Sequence, residues 1–296
     1  MNFNIVKHFK KWIAIPLIII LIGFGVIAVR GLNLGIDFIG GSTIHVSIGS
    51  PYDVDDIRAI VNEQGVDADI LSAGQDNQDA IIRMRYVENQ QEIHENIVKA
   101  LKEKYDLDDD AVSVDFVGPT MGKTLIQNAL MSVLIAGALM LVYIWIRFEL
   151  KSGVAAVIAL LHDVLIMIAV TAITGIQINS SFIAAVLTIV GYSINDTIVI
   201  FDRVRENIKR MGRKATMSEI VDESIRQSIT RTLNTSLTTI FAVAALYVLG
   251  VESIKDFTLP IIVGLISGTY SSLFIAGSIW AIWDEKTKEG KMATAK

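Results

Sequence analysis

The sequence predicts an integral membrane protein of six transmembrane helices, with one folded α+β domain between the first helix and the second. Three observations predict this architecture. Hydrophobic residues make up 52% of the 296-residue chain and charged residues only 19%, a composition too apolar for an ordinary soluble domain. The apolar residues are gathered into six runs, each long enough to cross a hydrocarbon core of about 30 Å as a helix. Between the first two runs, residues 31–124 alternate between strand and helix periodicities.

The first apolar run, 12–29, is predicted to be an uncleaved membrane anchor. It follows Lys7, Lys10 and Lys11, as the apolar part of a signal peptide would, but Ala28-Val29-Arg30 is a poor small-x-small cleavage site. Lipid offers the backbone no hydrogen-bond partner, so this run and the later ones are predicted to be helices. The later runs are 125–147, 153–174, 181–201, 233–250 and 258–283.

The domain after the first helix, residues 34–118, is predicted to have the βαββαβ order of a ferredoxin-like fold. Apolar residues alternate in the predicted strands and follow a helical period in the two stretches between them. These patterns are carried by Ile44, Val46 and Ile48; Val54, Ile57 and Val61; 69–72; Ile82, Met84 and Tyr86; Ile93, Ile97, Ala100 and Leu101; and Val112, Val114 and Phe116. Before the first strand, Gly35, Asp37, Gly40 and Gly41 are predicted to form a hinge, because glycine permits sharp changes of chain direction.

The distribution of Lys and Arg predicts that both termini lie in the cytoplasm and that the α+β domain lies outside the cytoplasmic membrane. Basic residues are concentrated in the N-terminal segment, the link between the second and third spans, residues 203–231 and the C-terminal tail, whereas the loops 175–180 and 251–257 together contain one lysine. Residues 203–231 are predicted to form a basic cytoplasmic loop with an amphipathic helix that begins at the Thr216–Glu219 capping box.

The outer segment, residues 31–124, is strongly acidic. It has 18 acidic and 7 basic residues, a net charge of −11, which leaves +6 for the rest of a chain whose total is −5. This negative charge either only keeps the surface soluble, or it repels anionic lipid headgroups or attracts basic substrates.

Ionisable residues inside the predicted spans are few, and each is a candidate functional residue because a charge in lipid is costly. Asp196 lies in the fourth span beside Asn195 and near Ser193, roughly 9 Å from the inner end at 1.5 Å per residue. In the fifth span, Arg231 begins a polar stripe at i, i+3, i+4 and i+7 that continues through Asn234, Thr235 and Thr238. We predict that Arg231 pairs with Asp196 to form an ion-coupling site; the alternative is that Arg231 extends to the lipid headgroups.

The third and sixth spans also contain residues that could have either a functional or a structural role. His162 and Asp163 lie in the middle of the third span, and Asp163 is either part of the ion-coupling machinery or the partner in a local hydrogen bond. Gly264 and Gly268 are predicted to be packing positions, since small residues four apart allow helices to approach closely.

Several classes of site are not expected. The absence of cysteine excludes disulfides and thiolate metal sites. The segment Gly118–Thr124 resembles a phosphate-binding loop, but it has one residue too few between the first glycine and the Gly-Lys pair. We therefore predict no cofactor, no metal and no nucleic acid. The spans also lack HExxH, Gly-x-Gly-Asp and a serine–histidine pair, so an intramembrane enzyme is not predicted.

Three segments give the sequence a family resemblance: Leu34–Gly41 (LGIDFIGG), Val117–Gly122 (VGPTMG) and Val190–Asn207 (VGYSINDTIVIFDRVREN). They resemble the SecF-type proteins of the SecD/SecF protein-export family, in the resistance-nodulation-division (RND) superfamily, and the likeness extends over nearly the whole chain. It implies an RND-type bundle that pairs with SecD beside the SecYEG channel. It also implies that the proton motive force, or a Na⁺ gradient, is used to promote the late translocation and release of unfolded exported polypeptides.

Two other functions remain open from the sequence. One is an RND-type half-exporter of small amphiphiles or lipids, which would want larger outer domains and an apolar cleft. The other is a scaffold of the translocon with no ion coupling, and the ion dependence of an Asp196 variant would separate this from the coupled function.

Overall fold

The structure is a computed structural model that describes residues 4–73, 78–147, 149–212, 215–250 and 252–294. The described residues contain six helices long and apolar enough to cross a membrane, which confirms the prediction of six spans. The six spans are Val6–Arg30, Thr120–Ile144, Leu150–Thr174, Ser180–Met211, Met217–Leu249 and Ile254–Thr287.

The secondary structure elements follow the predicted order. They are α1 (Phe9–Arg30), α2 (Ile36–Ile39), β1 (Gly41–Ser47), α3 (Val54–Glu63), β2 (Ala68–Ala73), β3 (Asp79–Arg85), α4 (Gln90–Tyr105), β4 (Val112–Val117), α5 (Pro119–Arg147), α6 (Leu150–Thr174), α7 (Ser180–Met211), α8 (Met217–Leu249), α9 (Glu252–Tyr270), a π-helical segment (Ser271–Ala276) and α10 (Gly277–Thr294).

The outer domain is a four-stranded antiparallel sheet with the strand order β2-β3-β1-β4. This order, with α3 and α4 packed on the same core, is the split βαβ arrangement predicted from the sequence. The alternating residues Ile44 and Ile82 pair across β1 and β3, and both are fully buried. They pack with Ile57 of α3 and Ile97 of α4, which are also fully buried.

The interior of the membrane bundle is formed mainly by α6, α7 and α9, which bury far more of their side chains than α1 and α5 do. Two glycines of α9 make its close approach to α7 possible. A Cβ at Gly264 would lie 2.4 Å from Ile189 Cγ1, and a Cβ at Gly268 would lie 2.9 Å from Ser193 Cβ. Both glycines therefore lie at a helix contact where no larger side chain fits.

The two peripheral helices α1 and α5 leave most of their apolar surface uncovered. Gly23 of α1 packs against Ala169 of α6, where an added Cβ would lie 2.4 Å from the alanine Cβ. The most apolar stretch of α5 has no buried residue. This surface is available to lipid or to another membrane protein.

Segment 203–231, predicted to be a cytoplasmic loop, differs from its predicted form. α7 continues to Met211, and α8 begins at Met217 and runs without a break to Leu249, so the predicted loop is mainly two helix ends. The predicted amphipathic helix and the fifth span are one helix, because nothing between them interrupts the helical pattern. The capping box is present: the Thr216 hydroxyl accepts from the Glu219 amide at 3.2 Å, and the Glu219 carboxylate accepts from the Thr216 amide at 2.8 Å.

The outer domain is joined to the bundle by polar contacts at the outer ends of α7 and α9. The Ser180 amide donates to Asp37 Oδ2 at 2.9 Å. Arg83 of β3 donates to Gln177 at 2.9 Å and forms an ion pair with Asp256 of α9 at 3.1 Å. Strand-like backbone pairing between Leu34 and Ile178 adds to the connection. The helices that span the membrane are thus tied directly to the domain outside it.

The predicted hinge segment is closely packed in this structure. Gly40 and Gly41 have φ values of 79° and 150°, and a Cβ at Gly41 would lie 2.2 Å from the Met84 carbonyl oxygen. Gly122 of α5 lies against the same segment, where its Cβ would be 2.7 Å from the Phe38 carbonyl oxygen. Movement about this segment remains a prediction.

Gly122→Ala is expected to destabilise the protein by roughly 1–3 kcal/mol, because the added methyl meets backbone that cannot rotate away. The measurement is the thermal unfolding midpoint of the purified chain in detergent. Gly137→Ala is the matched control in the same helix, since nothing lies within 4 Å of its added Cβ. Equal midpoints for the two variants would show that the Gly122–Phe38 contact is not a tight one.

A candidate ion-coupling site in the membrane bundle

Asp196 lies on α7 with 2% of its surface exposed. Its Oδ2 accepts a hydrogen bond from the Ser236 hydroxyl of α8 at 3.2 Å. Ser236 in turn accepts from the Thr269 hydroxyl of α9 at 2.6 Å. The carboxylate is therefore held by a chain of hydroxyls that joins α7, α8 and α9.

The polar face of α8 that meets Asp196 is not the face predicted from the sequence. Arg231, Asn234 and Thr238 are exposed. The buried polar residues lie one position further along the helix: Ser228, Thr232 and Ser236, spaced four apart. Because successive residues of an α-helix are turned by about 100°, this shift of one residue is enough to turn the predicted stripe away from the site.

Thr235, which is half-buried, and Thr238, which is exposed, satisfy their hydroxyls on their own helix. Thr235 Oγ1 donates to the Arg231 carbonyl at 2.9 Å, and Thr238 Oγ1 donates to the Thr235 carbonyl at 2.8 Å. A threonine bonded in this way can face an apolar environment without an unpaired polar group. The predicted stripe is therefore no evidence of an inward-facing surface.

Arg231 and Asp196 do not form the predicted ion pair in this structure. Among the residues that the structure describes, no ion pair within 4.0 Å joins them, and the Asp196 side chain meets Ser236 instead. Arg231 nevertheless lies close enough for its charge to act on the Asp196 carboxylate. The two residues are electrostatic neighbours rather than a contact pair.

The other predicted members of the site separate into two places. Asn195 is exposed, because it is turned by about 100° around α7 from the buried Asp196. Ser193 is buried, but its hydroxyl donates to Asp163 of α6 at 2.6 Å. Tyr192 joins α7 to α8 near Asp196, where its hydroxyl lies 2.8 Å from the Thr235 carbonyl oxygen and 2.7 Å from Thr239 Oγ1.

Asp163 is the centre of a second buried cluster. It has no exposed surface, and three serine hydroxyls donate to its carboxylate oxygens. Ser193 at 2.6 Å and Ser271 at 2.9 Å donate to Oδ2, while Ser267 donates to Oδ1 at 2.8 Å. His162 Nδ1 lies 3.0 Å from Oδ1.

Sequence reasoning missed four hydroxyl residues of these two clusters: Ser236, Ser267, Thr269 and Ser271. A signal for them does exist in the sequence. Ser267 and Ser271 are spaced four apart, on the same stretch of helix as Gly264 and Gly268. Hydroxyl residues at helical spacing beside a packing face are positions where a buried carboxylate can find donors.

Both sites contain a carboxylate that accepts from hydroxyls, one at Asp196 and three at Asp163. Hydroxyls donate to an ionised carboxylate and accept from a protonated one, so such a site can gain and lose a proton or a cation without leaving polar groups unpaired. The described residues include no group of three or more His, Cys, Asp or Glu that could hold a metal ion.

Comparison with known proteins gives the family. The model of the C-terminal region of the protein export membrane proteins SecD and SecF matches residues 97–286, and the SecD/SecF GG motif matches residues 25–48. The chain belongs to the SecD/SecF family. Membership makes it a translocase subunit that acts in protein export. The longer match includes every residue of both carboxylate clusters.

Relatives within the SecD/SecF family match nearly the whole chain. The protein translocase subunit SecF of Acidaminococcus fermentans is 36% identical over 293 residues, which cover 97% of this chain and 99% of that protein. The protein translocase subunit SecDF of Bacillus subtilis is 39% identical over 277 residues, covering 93% of this chain and 37% of that one.

The crystal structure of the translocon-associated membrane protein SecDF from Thermus thermophilus has the same fold. It matches with a TM-score of 0.81 and 32% identity, over 96% of this chain and 39% of that chain. SecDF in its super-membrane-facing form matches with a TM-score of 0.72 and 30% identity. This chain thus spans well under half of the SecDF chains, and it spans nearly all of the A. fermentans SecF.

Proposed function

We propose that this chain couples the movement of an ion down its gradient across the cytoplasmic membrane to the late translocation and release of exported proteins. The ion is a proton or Na⁺, and Asp196 is the residue that takes it up and releases it. The observation that carries the proposal is the burial of Asp196 in a protein-export subunit, where the Ser236 hydroxyl donates to its carboxylate.

The partner in this proposal is a SecD-type subunit. The SecDF proteins of B. subtilis and T. thermophilus are single chains, of which the present chain matches 37% and 39%. A separate SecD-type chain would supply the remainder. The uncovered surface of α5 is suited to receive it within the membrane lipid. In the proposed assembly, the SecYEG channel and the unfolded translocating polypeptide lie beside this pair.

The driving force available at such a site is sufficient to change a conformation. One elementary charge that crosses the membrane potential releases about 2.3 kcal/mol per 100 mV. Because about 1.4 kcal/mol changes an equilibrium tenfold, this is enough to shift a two-state bundle by a factor of about fifty. Neutralising Asp196 removes a charge from the contact of α7, α8 and α9, and the preferred packing of these helices changes with it.

The path from Asp196 to the outer domain runs along the helices that hold it. α7 carries Asp196, and the first residue of that helix, Ser180, donates to Asp37 below the outer sheet. α9 carries Thr269, and its outer end carries Asp256, which is paired with Arg83 of the sheet. A shift between α7 and α9 at the carboxylate would therefore be transmitted to the domain that pulls on the exported chain.

The alternative functions differ from this one in what they require of Asp196. A small-molecule exporter is not favoured, because the family acts in protein export. A scaffold without ion coupling would tolerate the loss of the Asp196 charge. The experiment that separates the two is export into membrane vesicles, with and without an ion gradient, in an Asp196→Asn variant.

The proposed orientation, with both termini in the cytoplasm, is tested by thiol labelling of this cysteine-free chain. Lys99→Cys on the outer domain and Glu206→Cys on the inner end of α7 place thiols at exposed positions. An impermeant maleimide added to intact cells is expected to label Lys99→Cys and to leave Glu206→Cys unlabelled until the membrane is opened. The reverse pattern would show that the chain is inserted the other way.

A further inference from the structure

A cleft opens where the outer domain meets the first membrane helix. Its volume is about 520 Å³, and it is lined by Leu32, Leu34, Ile39, Gly40, Arg85 and Tyr86. Leu32 comes just after the end of α1 at Arg30. Gly40 lies against Gly122, which is in the first turn of α5. The cleft therefore lies at the level where two apolar spans reach the membrane surface.

Arg85 brings an unbalanced positive charge to this cleft. The acidic segment 31–124 has seven basic residues, and five of them form ion pairs with carboxylates: Arg58, Arg83, Lys99, Lys102 and Lys104. The other two are Arg85 and Lys123, which are both exposed, and no ion pair within 4.0 Å joins either of them to a residue that the structure describes. Lys123 directly follows Gly122, so both unpaired charges lie at the membrane end of the domain.

Exposed apolar side chains adjoin the cleft. Tyr86 and Leu32, which line it, are 46% and 40% exposed. The Phe116 ring is 55% exposed and lies 6.4 Å from the Tyr86 ring. Met121, the residue before Gly122, is also exposed. Aromatic side chains beside a cation are typical of protein surfaces that lie among lipid headgroups, because the ring is apolar and the charged group remains in the polar layer.

We propose that this cleft binds an anionic phospholipid of the surrounding membrane. The planar guanidinium of Arg85 can donate two N–H groups to the lipid phosphate, and Leu32, Leu34 and Tyr86 offer an apolar wall to its glycerol and upper acyl chain. A zwitterionic lipid fits less well, since the described residues that line the cleft include no carboxylate to meet its ammonium group. The bound lipid holds this end of the outer sheet on the membrane surface.

The site is tested by protection of a thiol, because the chain has no cysteine of its own. Leu32→Cys places a thiol on the wall of the cleft. The purified intact chain in neutral detergent is treated with N-ethylmaleimide, an uncharged reagent, at rising concentrations of dioleoylphosphatidylglycerol, and mass spectrometry measures the modified fraction. Phosphatidylglycerol is expected to slow the modification about fivefold at 80% occupancy and to reach saturation. Dioleoylphosphatidylcholine or sodium phosphate at the same concentrations should protect far less.

Arg85→Ala in the Leu32→Cys chain is expected to raise the phosphatidylglycerol concentration for half-protection about tenfold. Arg85 is exposed, so its loss should not prevent folding. Arg58→Ala is the matched control, because Arg58 is an exposed arginine of the same domain that is paired with Asp55, and it should leave the protection unchanged.

The labelling involves neither export nor an ion gradient, so Asp196→Asn should not alter it and the outcome is independent of the coupling proposed for Asp196. The proposal is overturned if phosphatidylglycerol and phosphatidylcholine protect equally, or if the Arg85→Ala chain is protected as well as the Arg58→Ala chain. Protection by a co-purified SecD-type partner but not by phosphatidylglycerol would also overturn it, and would make the cleft a protein interface.

Discussion

Asp196→Asn is expected to remove the response of protein export to an ion gradient while the chain still folds and inserts. Asparagine has the size of aspartate and can accept the Ser236 hydroxyl bond, but it cannot bind and release a proton or balance a cation. The measurement is translocation of a secretory protein into inverted membrane vesicles, with the gradient maintained or collapsed by an ionophore. Export with the gradient should fall to the level seen without it.

The control for this experiment is Asp202→Asn. Asp202 is an acidic residue on the same helix, nearer its C-terminal end, partly exposed and paired with Arg205 at 3.7 Å. Its loss removes a carboxylate from α7 without touching the buried site, so the gradient response should persist. If Asp196→Asn vesicles respond to the gradient as fully as those with Asp202→Asn, Asp196 is structural and the scaffold function is favoured.

Arg231 has a smaller role in this picture than a buried ion pair would give it. Its side chain is exposed, and among the described residues no ion pair joins it to Asp196. Because Arg231 and Asp196 do not form an ion pair, Arg231→Ala breaks no buried pair and is not expected to harm folding. Adding Asp196→Asn to Arg231→Ala is therefore not expected to improve folding. The expected effect of Arg231→Ala lies in the ion affinity of the Asp196 site.

The membrane helices are predictable from the sequence because lipid offers the backbone no hydrogen-bond partner. Apolar runs of sufficient length must be helices. The alternation of Ile44, Val46 and Ile82 is enough to place the strands of the outer sheet on its core. Helix ends are less predictable. α8 runs unbroken from Met217 to Leu249 because its pattern passes without interruption from an amphipathic face to an apolar one.

The sequence is sufficient to predict Asp196 as a site residue, but not to predict which side chains surround it. Asp196 stands out because a carboxylate in a span is rare and costly. The sequence does not show which residue of α8 contacts Asp196. Arg231 and Ser236 lie on different faces of α8, and the packing of that helix decides which face meets Asp196. The serines around Asp163 come from three separate segments, and only the folded bundle brings them together.

Joining the outer domain to the bundle at Arg83 and Asp256 is expected to block gradient-driven export. The two side chains form an ion pair at 3.1 Å, and they are 14% and 17% exposed. This contact links β3 to the outer end of α9. If export requires the outer domain to move on the bundle, a covalent link at this contact must stop it, whereas loss of the ion pair alone must not.

The experiment uses Arg83→Cys with Asp256→Cys in the cysteine-free chain, joined by a short, cleavable bifunctional thiol reagent. Export with a gradient should fall to the level of Asp196→Asn and return when the link is cleaved, and neither single variant should show the effect. Ser47→Cys with Asp79→Cys is the matched control, because these residues lie on neighbouring strands of the same sheet and their side chains are 2.6 Å apart. A link there ties the domain only to itself. Full export by the Arg83–Asp256 linked protein would place the moving contact elsewhere, in the outer domain of the SecD-type partner.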